Sequence, residues 1–122
     1  AVTEVGRVEE LAETERPRET AMEILAKAGA ARSCAFAAIH RAKAFDFAGA
    51  AEQLDAAERY AMEAHKVHTE LLVREAGGQQ TDGGLLVAHA QDHFMMATLA
   101  QELAEEIVDV YRALGETKGG CQ

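Results

Sequence analysis

The residues best suited to chemistry fall in one short segment, His89-Ala90-Gln91-Asp92-His93-Phe94-Met95. Two imidazoles four residues apart share one face of a helix, one turn above the other, with a carboxylate close beside them. A neutral imidazole is a good phosphoryl acceptor, and a second imidazole nearby can donate to the transferred oxygens. The same pair could ligate a metal, so the spacing alone suggests both and decides neither. His65 and His68, three apart in the preceding segment, widen the metal option. With His89 and His93 they would make a transition-metal-binding helical bundle, imidazole being a suitable ligand for Zn2+, Fe or Cu. Against that reading, no Glu-x-x-His pair of the diiron kind accompanies them. There is also no G-x-x-x-x-G-K-[ST] segment to cradle a nucleotide's phosphates.

The elements that must hold these groups are helices. The chain has 122 residues, the size of one domain, with a single proline and 5% aromatic content. Abundant Ala, Leu, Glu, Gln and Arg lose little rotamer freedom in a helix. So much alanine buries little apolar area per residue, which leaves a lone bundle thin in the core and favours association between copies.

Residues 1–16 carry five Glu and a weak apolar pattern, and are expected to form a flexible acidic arm with room for one helical stretch over 8–15. Pro17 suits a first helical position. From 18 to about 43, Met22, Leu25, Gly29, Phe36 and Ile39 recur at helical steps and mark a packing face. Asp46 can cap a second helix that runs to about 76 through Phe47, Ala50, Leu54, Ala57, Ala61, Ala64, His68 and Leu71. The short turn at Ala44-Phe45 forces these two helices to lie antiparallel. Four glycines among residues 77–84 mark the clear loop of the body. A third helix is predicted from about 85 to 114, stopped by Gly115, with a disordered tail over 116–122. The fold class is all-α, an antiparallel three-helix bundle over 17–115.

On the third helix Leu85, His89, Asp92, Met96, Leu99, Leu103, Glu106 or Ile107, Val110 and Leu114 alternate by four and three, the pattern of a coiled-coil seam. His89 and Asp92 stand where that pattern expects Leu or Ile. A carboxylate on a seam must be paired, protonated or bound to a metal, and no Lys or Arg lies within one turn of Asp92 on this helix. If copies of the helix meet about an axis, several Asp92 groups converge. Two charges about 5 Å apart repel by about 3 kcal/mol at an effective dielectric of about 20, which a shared hard cation such as Mg2+ would relieve. His89 follows the glycine-rich loop closely, where free amides and the helix dipole favour an added negative charge.

A net charge of −9, from 21 acidic and 12 basic residues, argues against nucleic acid and anionic lipid and in favour of a docking protein with a basic face. No run approaches the apolar length needed for direct membrane insertion, and residues 1–16 are too acidic for a signal peptide, so a cytoplasmic protein is expected. Cys34 and Cys121 fit no metal or redox spacing and read as free thiols, Cys34 as a small core residue.

The segment from His89 to Met95 resembles the HxQDHLM signature of the lactose/cellobiose-type enzyme IIA of the bacterial phosphoenolpyruvate:sugar phosphotransferase system. Gly29-Ala30-Ala31-Arg32-Ser33 resembles that family's G-x-A-R-S, Asp46-Phe47 its D-F opening of the second helix, and Glu63-Ala64-His65 with Thr69 its E-A-H-x-x-Q-T. The likeness covers roughly residues 20–114. It implies a homotrimer, a nine-helix bundle, in which His89 takes a phosphoryl group from the phosphohistidine of HPr. His89 would then pass it to a cysteine of enzyme IIB, in uptake of a disaccharide of the lactose/cellobiose/chitobiose class. The resemblance further implies that Asp92 meets its symmetry mates on the three-fold axis around one Mg2+ per trimer. His93 and Gln91 match residues lining the acceptor site between neighbouring subunits. The chain departs from the pattern at Phe45, where relatives have Gly at a turn suited to left-handed backbone, and at His68, which replaces a Gln.

Overall fold

The first helix begins well before Pro17. Thr3 caps it, the hydroxyl accepting from the Gly6 amide at 3.2 Å, and Glu4 follows in the first turn, where the helix dipole favours an anion. In the computed structural model, which describes residues 3–79 and 84–120, α1 then runs unbroken over Glu4–Lys43 with Pro17 inside it. The expected start at Pro17 is thus corrected, and the stretch read as an arm is helical from residue 4. A threonine cap followed by an acid is a stronger start than proline's tolerance of one, and an interior proline removes a single helical hydrogen bond.

Phe45 ends α1 in the left-handed region, with φ 59°. Its amide donates to the Ala42 carbonyl at 2.9 Å and the Asp46 amide to the Arg41 carbonyl at 3.0 Å, the paired bonds of a Schellman turn. Left-handed backbone costs a non-glycine residue about 1–2 kcal/mol, and ring packing offsets it. The Phe45 ring meets Phe47 edge-on at 5.9 Å. Both rings also close over Gly115, where an added Cβ would lie 3.2 Å from Phe45 and 3.3 Å from Phe47. Asp46 then caps α2, Phe47–Ala76, accepting from the Gly49 amide at 2.9 Å and holding Arg41 at 3.2 Å. Gly78, at φ 83°, ends α2 in the same kind of turn. Residues 80–83 of the predicted loop lie outside the described residues.

The third helix, α3, covers Gly84–Gly120 and passes the stop expected at Gly115. That glycine is a floor for the two phenylalanine rings and not a helix terminus, so residues 116–120, expected to be disordered, are helical. Residues 121 and 122, with Cys121, lie outside the described residues.

The bundle is held by small side chains, and α1 packs on both other helices far more closely than they pack on each other. Its buried face is Ala21, Ile24, Ala28, Ala31, Ala35, Ala38 and Ala42. This corrects the predicted face: Met22 and Phe36 are 57% and 45% exposed, Gly29 is exposed and Leu25 and Ile39 are half-buried. Alanine lets helix axes approach more closely than the larger side chains allow, so the alanine stripe faces inward and the larger residues sit on the flanks. On α2 the predicted face holds, with Ala50, Ala57, Ala61, Ala64 and Leu71 buried. Ile24 and Val108 are the largest side chains fully enclosed among the described residues, so the core is as thin as the composition implies. Cys34 packs half-buried beside Ala35, Ala57 and Ala104. Lys27 joins α1 to Glu63 of α2 at 2.7 Å, and this hydrogen-bonded pair raises the lysine pKa and lowers the carboxyl's.

Candidate functional site

Helix α3 is apolar on two faces. Ala90, Phe94, Ala97, Ala104 and Val108 are buried against the other helices. The predicted seam lies elsewhere on the helix, and every member of it is open: Leu85, Met96, Leu99, Leu103, Ile107, Val110 and Leu114 are 36% to 87% exposed, and His89, Asp92 and Glu106 are exposed with them. The seam therefore does not hold the protomer together. One of the two apolar faces of α3 is thus uncovered in a single chain.

His89 stands in the second turn of α3, at the end of this stripe. Its ring meets that of His93 edge-on, 4.5 Å between centroids at 67°, as residues one turn apart on one face should. His93 is half-buried, which limits its motion, while His89 reaches solvent. Asp92 is exposed next to them, and among the described residues no ion pair engages it. Gln91, two residues from His89, points to the other side of the helix and cannot join it within one chain. The structure thus brings His89 and His93 together, sets Asp92 beside them on the stripe, and leaves Gln91 apart.

Phe94 was not singled out by the sequence reading, although it organises the inner side of the site. It is 7% exposed, and two imidazoles from α2 stack on its ring: His68 at 4.9 Å and 28°, His65 at 5.9 Å and 30°. His65 Nε2 also lies 3.5 Å from Thr69 Oγ1. Burial, and then the neighbouring His65, push the His68 pKa below the ordinary imidazole range. The signal for Phe94 was the second stripe of α3, Ala90, Phe94, Ala97, Ala104 and Val108, at steps that also fit a helix face.

The four histidines therefore form two pairs with different surroundings. Among the described residues no three His, Cys, Asp or Glu side chains converge to hold a metal ion, which leaves the transition-metal bundle without a ligand set in one chain. No helix of the described residues is long and apolar enough to cross a membrane.

Comparison with known proteins gives the same answer from sequence and from structure. Residues 19–112 match the family model for the lactose/cellobiose-specific IIA subunit of the phosphotransferase system. The N,N'-diacetylchitobiose-specific EIIA component of Escherichia coli K12 is 38% identical over 102 residues, covering 84% of this chain and 88% of that protein. The crystal structure of the cellobiose-specific enzyme IIA from Bacillus anthracis superposes with a TM-score of 0.80 at 37% identity, over 83% of this chain and 93% of that one. IIA(Chitobiose) in its solution complex with HPr, from Escherichia coli, gives 0.72 at 36% identity, over 83% and 98%. The chain belongs to the lactose/cellobiose-specific IIA family of the bacterial sugar phosphotransferase system and is one of its phosphotransferase components.

Proposed function

We propose that His89 accepts a phosphoryl group from phosphorylated HPr and passes it to a cysteine of the cognate enzyme IIB, serving uptake of a disaccharide of the lactose/cellobiose/chitobiose class. The observation that carries this reading is His89 itself, a solvent-exposed imidazole held 4.5 Å from a half-buried second one. A neutral His89 nitrogen attacks phosphorus as the bond to the donor imidazole breaks, and the donor leaves neutral on taking a proton. Phosphorus later moves to the IIB thiolate and frees His89. His93 donates a hydrogen bond to the phosphoryl oxygens, where charge is gathered during both transfers. The net charge of −9 suits a basic donor and raises the encounter rate. An exchange with such partners takes place in the cytoplasm.

The exposed stripe of α3 supports a homotrimer, three protomers and nine helices, with the three α3 helices on the axis. Gln91, turned away from its own His89, would there line the acceptor site of the neighbouring subunit. Asp92 would meet its two counterparts. One chain supplies a single carboxylate, and among its described residues no further ligands converge on it, so only copies of Asp92 complete a donor set. Three carboxylates suit a hard divalent ion such as Mg2+, one per trimer, whose role is to neutralise their mutual repulsion.

Incubation with phosphoenolpyruvate, enzyme I and HPr tests the carrier reading. Wild type should become labelled and His89→Gln should not; a fully labelled His89→Gln protein overturns the assignment.

A further inference from the structure

We propose that His68 is a positioning residue for this transfer: its neutral ring, stacked on Phe94, seats the turn of α3 from which His93 meets His89, and a proton on His68 unseats that turn. The inference rests on the reading of His89 just given and adds a group on α2 to the machinery of the reaction.

Phe94 follows His93 directly and is nearly buried, so the seat of its ring sets the rotation of the turn that holds the two imidazoles 4.5 Å apart. That seat is built from α2 by His68 at 4.9 Å and His65 at 5.9 Å. Contact between α2 and α3 is sparse compared with the contact each makes to α1. Beside the stack an open groove of about 270 Å³, bordered by Glu58, Met62, His65, Thr98 and Gln101, separates the two helices. The His65 ring and the outer edge of Phe94 therefore border open space.

The surroundings of His68 offer little to a positive charge. The neighbouring cluster contributes Ala21, Ile24 and Leu25 from α1 and Leu86, Val87, Ala90 and Phe94 from α3, none of them titratable. The charged groups of α1 at this level, Glu23 and Lys27, border a different groove with Glu63, Lys66 and Glu70. The titratable groups of α3 flanking Ala90 and Phe94 are His89, Asp92 and His93, and Asp92 is exposed on the outer stripe. Burial opposes a proton on His68, and His65, on the same helix, opposes it further. A phenyl face attracts one cation. A proton on His68 nonetheless places a charge in a half-buried seat, and withdrawal of the ring from Phe94 towards water relieves that burial.

The experiment measures the rate at which the full chain accepts phosphoryl from phosphorylated HPr across pH, for wild type, His68→Phe and His68→Gln. Any pH response that the three proteins share cancels in the rate ratios. His68→Phe retains a ring for stacking but cannot gain a proton. It should match wild type near pH 8, and the ratio of wild type to His68→Phe should fall by up to about tenfold per pH unit below the ordinary imidazole range. In wild type, NMR should show His93 responding at the midpoint of the His68 titration, a readout that stands even where a variant fails to fold. A ratio that stays level through the His68 titration as NMR locates it, or a His93 signal indifferent to His68, overturns the proposal and leaves His89 as acceptor. Failure of His89 to become labelled at any pH defeats the underlying reading instead.

Discussion

Truncating Leu99 to alanine should weaken self-association of the chain by about two orders of magnitude. Leu99 is 56% exposed in the protomer and lies mid-stripe on α3 between Met96, 54% exposed, and Leu103, 51% exposed. Full burial of such a side chain contributes about 1.5–3 kcal/mol, and since the protomer covers slightly under half of Leu99, assembly supplies about 1 kcal/mol per chain. Around a three-fold axis that becomes about 3 kcal/mol per trimer, and at about 1.4 kcal/mol per tenfold the equilibrium shifts about 100-fold. A cavity left on the axis adds to this, so the figure is a lower bound. Sedimentation velocity over a dilution series measures the change, with helicity checked by circular dichroism. Met62, 64% exposed on α2 and outside the stripe, supplies the control: Met62→Ala should leave association unchanged. A wild-type chain that is monomeric at every concentration, or equal shifts for the two variants, would refute the reasoning.

Three further outcomes follow from the same structure. Phe45→Ala and Phe45→Gly both lose the ring packed over Gly115, but only glycine accepts φ 59° without strain, so the glycine variant should be the more stable in urea unfolding by about 1 kcal/mol; equal stabilities would mean that no strain is stored there. If Asp92 meets its counterparts around a cation as proposed, Asp92→Leu should remain a trimer without bound divalent metal, as read by metal analysis after dialysis, whereas a monomeric product would mean that the cation is required for assembly. Because the folded His68 pKa lies below the ordinary value of 6.5, the unfolded chain binds the proton first as pH falls. Stability is then complete above about 6.5 and declines below it, and His68→Gln should flatten that decline in thermal melts taken from pH 8 to 5; an unchanged slope would contradict it.

The helix order, the face of α2 and the His89–His93 pair were legible in the sequence, because each has a local cause: spacing places two imidazoles on one turn. The left-handed backbone at Phe45 was legible only through the resemblance, whose members have Gly there. What escaped the reading depends on distant contacts. Gly115 looks like a helix stop until two rings from the α1–α2 turn are seen resting on it. The inward face of α1 could not be chosen by hydrophobicity, since alanine and larger apolar stripes lie one residue apart and close packing favoured the smaller. Periodicity identified one apolar stripe on α3 where there are two, and the stripe it identified is the one a single chain leaves uncovered. Phe94 was hidden for that reason, and with it the partnership of His65 and His68, which requires knowing how α2 is set against α3.

The most direct test of the account is to locate the phosphoryl group. After transfer from phosphorylated HPr, proteolysis and mass spectrometry under alkaline conditions should find an acid-labile, base-stable phosphohistidine on the peptide containing His89, at that residue alone. A modification on His93, His65 or His68, or a chain that HPr leaves unlabelled, would contradict it.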